Sequence, residues 1–247
     1  QENVFLERLL TRSRAGDDFV IDDSQPVSRV RLIRPLVDGQ AQPYLHVKID
    51  EQAGEELNYP LEPEDWWGLL NHMHEVGCRV AAIEEPLSWE GEGLAHLGRL
   101  GSLNNALSQF ETVVLTVDLH RPKIGQPIPP YLKRSAIPLR NVKGEVGRLV
   151  RANRIVLPPS ASPAPNLRFS FRLQESMEGA RPEFVRWGDY LIPSFPLAVA
   201  MAQANVPPDR VRIELGRHIR LGDGPIIPIN ELGELQIELV EKPAHIE

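Results

Sequence analysis

Apolar residues recur along this chain with two different periods, and the switches between them order its elements. Val4, Phe5, Leu6, Leu9 and Leu10 share one side of a helix over residues 1–15, which Gly16 stops. Residues 17–43 are polar and irregular, with a strand expected at 27–33. Residues 44–50 (YLHVKID) read as a strand. Pro63 then takes a first helical position, and Glu64 and Asp65 follow where the helix dipole favours negative charge. Trp66, Leu69, Leu70, Met73 and Val76 continue at helical spacing until Gly77, which adopts a left-handed conformation cheaply. Residues 79–83 (RVAAI) read as a buried strand and 94–110 as a second helix, softened by Gly98 and Gly101. Residues 112–118 (TVVLTVD) form a third strand rich in β-branched side chains.

The order is β-α-β-α-β. Successive parallel strands need crossover helices, so the pattern predicts an α/β fold: a parallel-sheet half with helices on both faces. After Asp118 the pattern loosens. Residues 119–165 are mostly loop, with a strand at 154–157, and 167–173 (LRFSFRL) alternate as a half-exposed strand. Pro193 opens a helix through Asn205, and Pro207 and Pro208 block its continuation. Short strands at 210–215, 218–221 and 235–240 follow, with turns at 222–224 and 230–233. These short antiparallel strands make a mixed C-terminal part.

With 247 residues the chain can bury a substantial core. A net charge of -7 argues against a nucleic-acid or anionic-membrane partner, and Arg29, Arg31 and Arg34 fit one face of a solvated strand. The single cysteine, Cys78, excludes an internal disulfide and any cysteine zinc motif, and reads as a small buried hydrophobe. No apolar run approaches the roughly 18–20 residues of a membrane span. The first residue is Gln1 rather than Met, so a piece of a longer protein is expected.

The candidate chemistry lies at the carboxyl ends of the expected parallel strands, the edge where open α/β sheets bind ligands. Asp50 ends the first, Glu84 and Glu85 the second, and Asp118, His120 and Arg121 the third. Such a cluster can line a ligand crevice, can hold a metal that activates water, or can simply serve the turns. His72 and His74 are two apart, point to different sides of a helix and read as solvated. Trp66 is expected in the core and Trp67 at the surface. Ser88, Ser160 and Ser162 lack a nucleophile elbow, and Gly91, Gly93, Gly98 and Gly101 form neither dinucleotide nor phosphate loops.

Three motifs in order complete the picture: PSFPLAVA at 193–200, IRLG at 219–222 and IPINELGELQI at 227–237. With the strand ending in Ile49–Asp50, the helix bracketed by Pro60 and Trp66, and LLNHMHEVGCRVAAIEEPL from Leu69, they resemble the type-two CHASE domain, a bacterial extracytoplasmic sensory module. The resemblance spans residues 44–239 of a divergent member. Glu84–Glu85–Pro86–Leu87 departs from the family's second strand end, and residues 140–151 and 154–159 only partly occupy the loop expected after the third strand.

The resemblance implies three segments. Residues 1–43 would be an N-terminal helix and irregular juxtamembrane segment, 44–240 a single sensory domain and 241–247 a tail. It further implies a non-catalytic signal-input domain outside the cytoplasm, without cofactor, metal or catalytic residues. Membrane attachment would come from flanking segments absent from this chain. The partner would be a small-molecule or protein signal, with a homodimer through a seam containing Val4, Leu6 and Leu9. The readings set against it are a metal-dependent hydrolase using the strand-end carboxylates and a protein-binding scaffold ectodomain.

Overall fold

The computed structural model describes residues 30–33, 36–37, 40–41, 46–49, 61–75, 77–89, 94–121, 125–161, 164–173 and 182–235. The expected helix at 1–15, Asp50, and the last strand beyond Leu235 lie outside these residues. Two compact units divide between Leu61 and Glu62, where the sequence suggested a boundary before Tyr44.

In the first unit, β1 (Val30–Ile33), β2 (Leu36–Val37), β3 (Gln40–Ala41) and β4 (His46–Ile49) make two antiparallel pairs, β1 with β4 and β2 with β3. The strand expected at 44–50 therefore exists over His46–Ile49, but its partner is β1 and not a parallel neighbour. The connection between β1 and β4 is itself a hairpin, so it cannot supply the helical crossover that parallel pairing requires.

The second unit holds the parallel sheet. Helix α1 (Pro63–Glu75) starts with Pro63, and the Asp65 carboxylate accepts the Glu62 backbone N–H at 3.0 Å. Trp66 and Leu70 are buried and Trp67 is 46% exposed, as their spacing implied. Gly77, at φ 91°, lets the Cys78 N–H return to the Met73 carbonyl at 3.0 Å. Cys78 itself is only half-buried, less than its apolar neighbourhood suggested. Strand β5 (Val80–Ile83) leads to α2 (Leu94–Ser108) and then to β6 (Thr112–His120). The two helices run side by side in the same sense, joined by Glu64 to Arg99 (3.2 Å) and Gln109 to Asn71 (2.9 Å).

A short α3 (Pro130–Lys133), β7 (Ile137–Pro138), β8 (Val142–Lys143) and β9 (Arg154–Ile155) carry the chain to β10 (Leu167–Leu173). The parallel order is β10-β6-β5, and β9 adds antiparallel to the end of β6. The third parallel strand is therefore LRFSFRL, not 44–50. Because α3, α4 and β12 pack against it, Leu167, Phe169, Ser170 and Phe171 are all buried, where alternation alone predicted a half-exposed strand. Two buried hydroxyls are satisfied between the strands. Thr116 and Ser170 lie 3.0 Å apart, and their hydroxyls also reach the Ile83 and Leu115 carbonyls.

The hairpin of β11 (Phe184–Trp187) and β12 (Tyr190–Pro193) turns at Gly188, φ 59°. Pro193 ends this strand, so α4 (Phe195–Gln203) begins later than the proline suggested. Ser194 caps it, its hydroxyl oxygen accepting the Leu197 N–H at 3.2 Å. Helix α4 packs on β5, β6 and β10. The mixed sheet follows: β13 (Val211–Glu214), β14 (His218–Leu221) and β15 (Ile226–Pro228) are antiparallel, and β8 joins β13 in parallel. Leu197 and Met201 of α4, Phe184 of β11 and Val211, Ile213, Ile219, Leu221 and Ile229 form one core. The expected α/β class with a mixed C-terminal part is thus the observed one.

His72 contradicts the solvated reading. It is 5% exposed, and both ring nitrogens are buried without a hydrogen-bond partner among the described residues. Tertiary packing over α1 decides this, which helical spacing within α1 cannot reveal. His74 is exposed and meets the Phe110 ring edge-on, centroids 5.8 Å apart.

Candidate functional site

Parallel strands present their carboxyl ends at one edge, and here charge gathers there. Asp118 on β6 and Arg172 on β10 are register partners. The Arg172 Nε and Nη2 groups donate to the two Asp118 carboxylate oxygens at 2.7 and 3.1 Å, a bidentate pair. Glu85, in the turn leaving β5, brings an oxygen to 3.7 Å from Arg172 Nη1. One guanidinium therefore spans the ends of all three parallel strands. Asp118 is the most covered of the three, its side chain 17% exposed against 48% for Arg172 and 39% for Glu85.

Of the six residues chosen from sequence, Glu85 and Asp118 are brought together. Glu84 is exposed in the same turn. His120 follows Asp118 along β6 and pairs with Arg154 of β9, where its carbonyl accepts the Asn153 N–H at 3.3 Å. Arg121 is exposed just after the strand. Asp50 lies outside the described residues. Arg172, the residue that unites the edge, was not chosen. Alternation along LRFSFRL places it on the face of Arg168 and Ser170, but only register with β6 reveals Asp118 as its neighbour.

A second polar node lies close along the chain of contacts. Ser194 bridges in parallel to Phe171, the residue before Arg172. The Ser194 hydroxyl donates to Glu183 Oε2 at 2.7 Å, while its backbone N–H donates to the Glu183 carbonyl at 2.7 Å. The Glu183 N–H donates to the Gly233 carbonyl at 2.8 Å. Burial raises the Glu183 carboxyl above the ordinary glutamate range, and the Ser194 hydrogen bond opposes this only in part. Glu183 thus ties the cap of α4 to the C-terminal turn.

Chemically, the edge is an ion-pair network. Asp118 spends both oxygens on Arg172, and among the described residues no group of three His, Cys, Asp or Glu side chains is placed to hold a metal. Among those residues, too, no helix is long and apolar enough to cross a membrane. Comparisons with models of protein families, with curated proteins and with solved structures find no match.

Proposed function

We propose that this chain is a non-catalytic, extracytoplasmic sensory module of a bacterial membrane receptor, a divergent relative of the type-two CHASE domain. The observation that supports it is the meeting of its three signature segments in one place. PSFPLAVA supplies Ser194, Leu197 and the start of α4; IRLG supplies Ile219, Leu221 and Gly222; IPINELG supplies Ile229 and Gly233. Their apolar members share one core, so motifs that are singly mere turn signatures work together as one structural unit.

Under this reading the carboxyl edge around Glu85, Asp118 and Arg172 is the ligand crevice. A ligand competing for the Arg172 guanidinium would bias how the three strand ends are held together, which is the differential contact a two-state sensor needs. The test is a thermal-shift screen of the chain against metabolites, nucleotides and divalent metals. Specific binding raises the melting temperature according to RT ln(1 + [L]/Kd). A metabolite that stabilises the chain, is not turned over and loses its effect in Arg172→Ala supports the sensor. Divalent-metal stabilisation with hydrolysis of phosphate or ester substrates defeats it.

A further inference from the structure

The outer face of the C-terminal sheet carries like charges where a ladder ordinarily pairs opposites. Arg212 of β13 stands directly across from Arg220 of β14, and Arg220 directly across from Ile226 of β15. The alternate residues Val211, Ile213, Ile219 and Leu221 point into the core, so this row faces out. All three side chains are exposed, Ile226 to 52%.

Directly opposed side chains on a ladder have Cβ atoms roughly 5 Å apart, and like charges there repel. Among the described residues neither arginine has a carboxylate partner. The one carboxylate of the next row, Glu214, is held by Arg217 at 2.9 Å. Arg212 is also pre-set. Its Nη1 donates to the carbonyls of Asp209 (2.6 Å) and Val211 (3.1 Å), which limits its rotamers and leaves other guanidinium N–H groups for a further acceptor.

The chain as a whole carries -7, so this patch is a local exception. Guanidinium forks match phosphate oxygens. The exposed Ile226 and Pro228 beside them add an apolar element that an acidic peptide would leave in water. Cations beside an apolar side chain match the boundary between headgroup phosphates and acyl chains.

We propose that this face docks on an anionic phospholipid surface, with the Arg212–Arg220 pair holding lipid phosphates and Ile226 entering the headgroup boundary. This goes beyond the sensor reading and does not need it, since it concerns a different sheet.

Co-sedimentation of the full chain with vesicles tests it. Vesicles containing phosphatidylglycerol should retain the chain at low salt and release it at high salt, while pure phosphatidylcholine vesicles should not retain it. The R212Q/R220Q double variant should lose roughly 30-fold in partition, from the loss of two cations at the surface. Ile226→Ser should weaken partition, and Arg217→Gln should not. A thermal melt guards against misfolding: removing either arginine relieves repulsion, so the double variant should melt no lower than the parent. Equal partition onto both vesicle types, or a double variant that partitions like the parent, overturns the proposal. So does capture by polyglutamate with no vesicle binding, which would make the partner an acidic peptide.

Discussion

The Asp118 carboxylate and the Arg172 guanidinium meet through two hydrogen bonds, of 2.7 and 3.1 Å, across the parallel pair β6 and β10. Both oxygens of a largely covered carboxylate are used, so this is not an ordinary surface ion pair. A double-mutant cycle with Asp118→Asn and Arg172→Met should return a coupling of about 1 kcal/mol, at the upper end for exposed pairs. Urea denaturation measures it. Additive single effects would show that the pair is held only loosely in solution.

Glu183 should make stability depend on pH in an unusual direction. Burial raises its carboxyl in the folded state. A raised group contributes stability that is complete below its unfolded value, about 4.3, and is lost as pH rises through the folded value. Glu183→Gln keeps an oxygen for the Ser194 hydroxyl and removes the buried charge. It should melt higher than the parent at neutral pH and match it in acid. Melting curves across that range decide it, and a variant that melts lower at neutral pH would show that the charge is stabilising.

The glycines sort into two kinds. Gly233 sits at φ 76°, and a Cβ there would lie 2.5 and 2.6 Å from the Phe184 ring carbons Cε2 and Cζ. Gly233→Ala therefore meets both backbone strain and a fully buried ring, and should destabilise by about 3 kcal/mol. Gly101, in the middle of α2, has open space around the same position. Gly101→Ala should stabilise by about 1 kcal/mol through helix propensity alone. Chemical denaturation of the two variants compares them directly.

His72 buries two ring nitrogens that find no hydrogen-bond partner among the described residues, with a Glu75 carboxylate oxygen 3.8 Å from Nδ1. An unsatisfied buried polar group costs about 1–3 kcal/mol. His72→Leu should therefore stabilise the fold by about 1 kcal/mol, measured by denaturant midpoint. A destabilised variant would mean that the ring has a polar partner in solution.

What was legible in the sequence was local. The Pro63 start and Gly77 stop of α1 hold because φ preferences and end charges act within a few residues. The inner strand β6 announces itself by a β-branched run, and the buried Trp66 and exposed Trp67 follow from helical spacing. The β11–β12 hairpin was missed although Gly188–Asp189 marks its turn, because the flanking residues are apolar on both faces and show no alternation.

The edge site was half legible. That Glu85 and Asp118 stand at strand ends follows from their places along the chain, and Arg172 bridges them there. Which strands share that edge did not follow. Strand β4 pairs with β1 and β10 takes the third place, since pairing depends on non-local burial rather than on strand-like composition.

By itself, then, the sequence determined the α/β class and the type and place of α1, β5, α2 and β6, because propensity, capping and periodicity are set by near neighbours. Only the tertiary structure decided register and burial: that Arg172 meets Asp118, that Arg212 opposes Arg220 and that His72 is enclosed. Each of these joins residues through space, and a period of two or of 3.6 residues carries no information about which strand or helix lies alongside.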